Sequence, residues 1–224
     1  MSRTGTVTPP VLPDGARTDV GAQHYADLRR DVLDGAFEPD DLLQESTLAA
    51  RYRVSRTPVR EALARLEQDG LLERAPRGYR VRSGSPEDVL DIYDARTALE
   101  GVAAASAAGR RTELELARLA ALHTGTEHAA PDEQRRLNLL WHEALWAAGH
   151  NATVTALLHR LTAQLRIYDG TRTEHADDLA EIRAEHAAVL DALRVRDAEA
   201  ARAAVAAHLQ RSRDLRLHAF AARR

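Results

Sequence analysis

Only one short stretch of this chain alternates in the period of a β-strand, and that narrows its fold more than any other feature. Between Leu71 and Arg82, apolar and polar residues alternate around Pro76, Arg77 and Gly78. That pattern predicts a β-hairpin with a basic tip. Elsewhere apolar residues recur three and four apart, the spacing of amphipathic helices. Val20, Tyr25, Leu28, Val32 and Leu33 predict a helix over 19–33, which Gly35 and Pro39 stop. Leu48 and Ala49 predict a short helix over 45–52. Val59, Leu63 and Leu66 predict a third over 57–69, with Ser55 as cap, Pro58 near its start and Gly70 at its end.

Helix, helix, helix, hairpin is the order of a winged helix-turn-helix. After a linker at 83–85 the chain reads as helix throughout. Ser85-Pro86-Glu87-Asp88 supplies a cap, an N1 proline and first-turn acids for a helix that Gly109 is expected to stop. Thr112 and Glu115 form a capping box for the next, Pro131 opens a third and Asn151 caps a fourth. Two more are expected over about 174–193 and 197–220. Aromatic residues make up only 4% of the chain, so the core is built from Leu, Val and Ala. The expected fold is mainly α: a winged helix-turn-helix over 18–82 and an antiparallel all-helical bundle of about six helices over 86–220. Residues 1–17 are rich in Thr, Pro and Gly and are expected to be a disordered arm.

Composition excludes several classes. No apolar run approaches the ~20 residues of a membrane span, and the N-terminus lacks the apolar region of a secretory signal. The chain has no Cys, which removes disulfides, thiolate catalysis and Cys-based zinc sites and fits a cytoplasmic protein. The net charge of −3 hides an uneven distribution. Residues 51–82 hold nine Arg against four acids, while both flanks are net acidic. A compact basic block in an acidic chain is an electrostatic footprint for a polyanion.

Inside that block stands Val54-Ser55-Arg56-Thr57-Pro58-Val59-Arg60-Glu61-Ala62-Leu63, followed by Arg65-Leu66-Glu67 and Gly70-Leu71. This run resembles the DNA-binding domain of GntR-family bacterial transcription regulators, and the resemblance extends over about 19–82. A recognition helix enters the major groove with its N-terminal residues nearest the bases. Arg56, Thr57 and Arg60 lie on that first turn and a half. The resemblance implies that these three contact DNA, that Ser46 touches the backbone, and that the wing tip, Arg77 and Gly78, lies along the minor groove or backbone. Glu61 is expected to be an intramolecular Arg partner.

A second pattern runs through the bundle: Arg96-Thr97-Ala98-Leu99-Glu100, Asn138 with His142, Gly149 and Asn151, Glu185-His186, Asp197 and His208. It resembles the effector-binding FCD domain of the FadR-like branch. Asn138 and His142 are four apart and share a helix face. His186 and His208 are 11 residues either side of a turn at Asp197, so a hairpin of the last two helices brings them to one height. Three imidazoles and an oxygen donor suit zinc, nickel or a similar divalent ion. The resemblance implies a metal on His142, His186, His208 and Asn138, and an effector held by Arg96, Asn138 and Asn151. The family's Asp is here Asn138, whose amide oxygen ligates without adding charge, so metal affinity is expected to fall. A buried Arg96 needs an anion, either Glu100 at i+4 or a ligand carboxylate. Glu185 is expected to point elsewhere on its helix.

The resemblance implies a homodimeric, non-enzymatic regulator, a repressor by expectation. Its partners are double-stranded operator DNA and a small organic acid, with no membrane. Two alternatives stand beside this reading: a helical metalloenzyme with a DNA-binding appendage, and an effector-blind dimeric repressor.

Overall fold

A computed structural model describes residues 14–38, 41–168 and 176–221 of the chain. It divides into two compact units, 1–82 and 83–224. Among the described residues, no helix is long and apolar enough to cross a membrane.

The first unit contains α1 (Asp14–Leu33), α2 (Glu45–Tyr52), α3 (Arg56–Gln68), β1 (Leu72–Ala75) and β2 (Gly78–Val81). Helix α1 starts five residues before its predicted beginning: no proline follows until Pro39, so nothing stops the helix from extending back to Asp14. Of the expected arm, residues 1–13 lie outside the described residues, and 14–17 are helical rather than disordered. Val59, Ala62, Leu63 and Leu66 form one stripe on α3 and are buried. Leu28 and Val32 of α1, Leu48 of α2 and Leu72 of the hairpin are buried in the same unit. Arg65 of α3 lies 3.9 Å over the Tyr25 ring, and the Tyr25 hydroxyl donates to Asp69.

The hairpin pairs Leu72 with Val81 and Ala75 with Gly78, closed by Pro76 and Arg77. Leu43 adds a third, one-residue rung: its amide donates to the Tyr79 carbonyl at 2.8 Å and its carbonyl accepts from the Tyr79 amide at 3.0 Å. That rung dictates Gly78. The residue has φ +149°, and a Cβ there would sit 2.5 Å from the Leu43 carbonyl oxygen.

Among the described residues, the second unit holds six helices: α4 (Pro86–Arg110), α5 (Glu113–Gly125), α6 (Pro131–Ala148), α7 (Ala152–Tyr168), α8 (Ala176–Arg194) and α9 (Ala198–Ala221). The capping boxes at Ser85/Asp88 and Thr112/Glu115 are both formed. Gly109 does not stop α4. The helix continues to Arg110, and the break comes at Arg111, which turns extended ahead of the Thr112 cap. The predicted start of the fifth bundle helix near residue 174 lies outside the described residues. Two arginines lace the ends of α4 and α8 together. Arg111 donates to the carbonyls of Leu193 and Arg194, and Arg196 to those of Ala108 and Gly109. Each end thus satisfies carbonyls that have no partner within their own helix. Helix α4 packs against α6, α7, α8 and α9. Ala103, Ala104, Ala107 and Ala108 are its buried face, and these small side chains let the neighbouring helices approach closely.

The Leu43 rung makes a specific demand on Gly78. Gly78→Ala forces the wing away from Leu43 and is expected to destabilise the first unit by about 1–3 kcal/mol. Calorimetry of the full chain should show one transition lowered by roughly 5 °C or more, with the transition of the helical unit unmoved.

Candidate functional site

Two places in the molecule gather chemistry-bearing side chains. The first is the outer face of the helix-turn-helix. Arg53 adopts a left-handed conformation (φ 56°) that ends α2, and Ser55 opens α3 in extended geometry. The Ser55 hydroxyl makes no capping bond, and the first turn of α3 holds no acid. Uncapped N–H groups and the positive end of the helix dipole are therefore available to an anion. Arg56 and Thr57 are exposed on that turn. A groove beside it is lined by Ser46, Arg56, Arg74, Arg77 and Gly78, so four of the six residues expected to contact DNA border one surface. Gly78 is there for the backbone reason given above. Arg60 is held from within the unit: its Nε and Nη2 donate to the two carboxylate oxygens of Glu45 at 2.9 and 2.8 Å. The ion-pair role expected of Glu61 falls, among the described residues, to Glu45. Arg74 was not foreseen, because strand positions one residue from a turn give no signal of which way they face.

The second place is the centre of the helical unit. His142 of α6, His186 of α8 and His208 of α9 are each 3–4% exposed, and one nitrogen from each lies within 4.8 Å of the others. Each ring is positioned by an acid or an aromatic partner. Glu100 of α4 is fully buried; its Oε1 accepts from Arg96 Nε and Nη2 at 3.0 and 2.7 Å, and its Oε2 meets His142 Nδ1 at 2.8 Å. On the other side Glu185 Oε2 meets His208 Nδ1 at 2.7 Å, and Arg211 donates to both oxygens of Glu185. His186 stacks on Trp141 with ring centroids 3.7 Å apart, and its Nε2 is buried without a hydrogen-bond partner. Glu185 thus does not point elsewhere. The hairpin of α8 and α9 carries it to His208, and sequence adjacency to His186 concealed that reach.

Electrostatics fix the protonation of this cluster. Burial pulls the Glu100 carboxyl toward neutrality, yet the Arg96 charge and His142 outweigh it and hold the pKa well below the usual range. Glu185 is also lowered, its burial overcome by hydrogen bonds from His208 and Arg211. Carboxylates only accept, so the Nδ1–H of His142 and of His208 is the donor and each ring turns its Nε2 toward the centre. Burial, reinforced by the neighbouring histidines, pushes His186 well below 6.5; burial likewise lowers His208 against the opposing pull of Glu185. His142 Nε2 and His208 Nε2 face each other at 3.2 Å. Two ring nitrogens at that distance share a proton or a cation. Two nitrogens about 2.1 Å from one ion at a tetrahedral angle stand ~3.4 Å apart. Imidazole ligands whose other ring nitrogen is held by a carboxylate are the usual arrangement at such a site. The residues present therefore fit a divalent ion.

A cavity of about 190 Å³ opens beside the cluster, lined among others by Arg96, Asn138, His142, Trp146, Thr162 and His208. Asn138 Oδ1 and Thr162 Oγ1 are buried without hydrogen-bond partners. Asn151 is not brought here. Its Oδ1 accepts from the Val154 amide at 3.2 Å, capping α7, and it borders a different hollow with His150 and His159. Arg96 resolves to the nearer of its two expected anions, Glu100, while still lining the cavity.

Comparison with known proteins bears on both places. Residues 21–79 match the family of bacterial regulatory proteins, gntR family, and residues 91–211 match the FCD domain. The HTH-type transcriptional regulator YdhC of Bacillus subtilis is 33% identical over 83% of this chain and 86% of its own length. The HTH-type transcriptional repressor RspR of Escherichia coli is 29% identical over 85% and 86%. Among solved structures, E. coli McbR/YncC shares the fold with a TM-score of 0.75, covering 90% of this chain and 98% of that one at 24% identity. A GntR regulator from Rhodococcus sp. RHA1 does so with a TM-score of 0.69 over 90% and 99%, also at 24% identity.

The lowered histidine pKa values carry a stability consequence in metal-free protein. Below about 6.5 the unfolded chain binds protons that folded His186 and His208 refuse. Their contribution is therefore present above that pH and lost as pH falls through it, whereas the lowered carboxyls Glu100 and Glu185 act only further into acid. Urea unfolding followed by Trp141 and Trp146 fluorescence should show a lower midpoint at pH 5.5 than at pH 7.5. His186→Gln should flatten that difference.

Proposed function

The chain belongs to the GntR family of bacterial transcription regulators and carries an FCD domain, and from that premise we propose a ligand-controlled operator-binding protein. Its family and relatives are transcription regulators rather than enzymes, which removes the metalloenzyme alternative. The occupancy of Glu185 by His208 and Arg211 also leaves that carboxylate unsuited to act as a general base.

The helix-turn-helix reads duplex DNA in this proposal. Arg56 and Thr57 meet the major groove from the open end of α3, Arg60 reads from the next turn, and Ser46 and the Arg77 wing hold the backbone. Repression fits the named roles of relatives such as RspR and GlaR. Two copies as a homodimer would meet two half-sites of a palindromic operator. The work is done in the cytoplasm, where the operator is.

In the helical unit, His142, His186 and His208 would hold a divalent ion, zinc or nickel, with Asn138 as a neutral oxygen donor. When bound, that ion supplies positive charge that anchors an anion. A small organic acid would sit in the adjacent cavity. Arg96 faces its carboxylate and the Thr162 hydroxyl, which lacks a partner, donates to it, while Asn138 Oδ1, an acceptor, is satisfied by the ion. Asn151 drops from this set because its amide is committed to α7. Occupancy then biases the packing of α4, α6 and α9 and, through it, the spacing of two heads in the dimer, a coupling between two sites. The observation that carries the effector half of this reading is the convergence of three buried imidazole nitrogens beside a cavity with unsatisfied polar atoms.

The test is metal content by plasma mass spectrometry on untagged protein, before and after incubation with zinc. About one ion per chain, lost in His186→Ala, is expected; no ion in either protein overturns the metal part. For the head, Arg56→Ala should weaken binding to a preferred duplex by roughly 1–3 kcal/mol and relax one base position. Fluorescence anisotropy should also show affinity falling steeply with salt through counterion release.

A further inference from the structure

A carboxylate on a surface that meets a polyanion is an anomaly. Glu45 opens α2 and borders the same groove as Ser46, Arg56, Arg74 and Arg77. Phosphate oxygens approaching that groove meet its negative charge. Its carboxyl is held below the usual range, chiefly by the hydrogen bonds from Arg60 and then by the nearby Arg56 and Arg74 charges, so it stays ionised at neutral pH. Arg60 shows how the anomaly serves the surface. The two groups form a side-on, two-point pair: Nε to Oε1 at 2.9 Å and Nη2 to Oε2 at 2.8 Å. A guanidinium has five N–H donors in a fixed plane. Glu45 consumes the Nε edge and leaves both hydrogens of Nη1 and the second hydrogen of Nη2. That remaining edge is the fork that pairs with O6 and N7 of guanine. The Arg60 side chain is still 63% exposed while so held. Among the described residues neither Arg56 nor Arg77 has a carboxylate partner, so those cations serve phosphate as readily as bases.

We propose that Glu45 is a specificity-determining residue: it locks one edge of the Arg60 guanidinium, presents the other edge to a base, and repels phosphate from it. A base edge is a neutral acceptor and tolerates the carboxylate behind the guanidinium. A phosphate carries a full charge and does not. Discrimination here comes from a built-in repulsion as well as an attraction. The inference rests on the DNA-binding reading of the head and adds which of its cations reads sequence.

The experiment begins with wild-type full-length protein and a randomised duplex pool, from which a preferred site is selected. Fluorescence anisotropy then measures the preferred duplex and a mixed-sequence duplex across a salt series for wild type, Glu45→Gln, Glu45→Asp, Arg60→Gln and the double variant Glu45→Gln/Arg60→Gln. Glu45→Gln should bind mixed-sequence DNA more tightly, with a salt slope steeper by about one counterion, and its preference for the selected site should fall about tenfold. Glu45→Asp, which keeps the charge, should hold mixed-sequence affinity low. In the Arg60→Gln background, Glu45→Gln should leave the preference unmoved, because the residue acts through Arg60. Thermal melting reports whether each variant is folded. An unchanged preference and salt slope in Glu45→Gln overturns the proposal and leaves the DNA-binding reading intact. An equal loss on both duplexes overturns it too, as that is a merely structural effect. Failure of the wild type to select any sequence sinks the DNA-binding reading and this inference with it.

Discussion

The helical unit is organised around one buried charge. Glu100 has no solvent-accessible surface, and an isolated carboxylate in such a place would be neutral or would not be there. It is kept ionised because one oxygen takes two N–H groups from Arg96 and the other takes the proton-bearing nitrogen of His142. Everything at the centre follows from that arrangement. With Nδ1 tied to Glu100, the His142 ring is oriented so that its Nε2 is aimed at His208. Removing Arg96 or Glu100 leaves the other as an uncompensated buried charge, typically about 3–5 kcal/mol.

The same device recurs. His208 is held by Glu185, which is held in turn by Arg211. The two arms, arginine to carboxylate to imidazole, approach from opposite sides and leave their Nε2 atoms facing across 3.2 Å. His186 is held differently, by its stack on Trp141. Three rings fixed by three neighbours hold one arrangement, whose ordering entropy is lost on folding. At the helix-turn-helix, Glu45 orients Arg60 in a related way, but both partners are partly exposed. There water screens the attraction and the pair contributes little stability. Its consequence is directional: it decides which edge of a guanidinium remains available.

Much of this was legible in the sequence because it depends on local rules. Helix starts at Ser85 and Thr112 are written in capping boxes whose bonds span three residues. The wing is written in a change of period. The alignment of His186 with His208 follows from counting equal distances around one turn, because two antiparallel helices joined there must share a register. Element ends were less legible. Gly109 looks like a stop, but a glycine near a helix end is only permissive, and the Thr112 cap three residues on sets the break. Asn151 illustrates a different limit: an amide that caps a helix and an amide that binds a ligand carry the same letter in similar settings.

By itself the sequence determined the order of elements, the basic head, the family and the identity of the three imidazoles. Each is set by side-chain chemistry and by spacing along one helix or one turn. Only the tertiary structure decided partners across elements. It gave Arg60 to Glu45, Glu185 to His208, and Glu100 to both Arg96 and His142. It also decided that Gly78 answers to the Leu43 carbonyl. The physical reason is common to all of these. An ion pair or a close approach between residues 15, 23 or 42 positions apart is chosen by how helices pack. Packing is a global balance of buried area and satisfied charge that no local window of sequence contains.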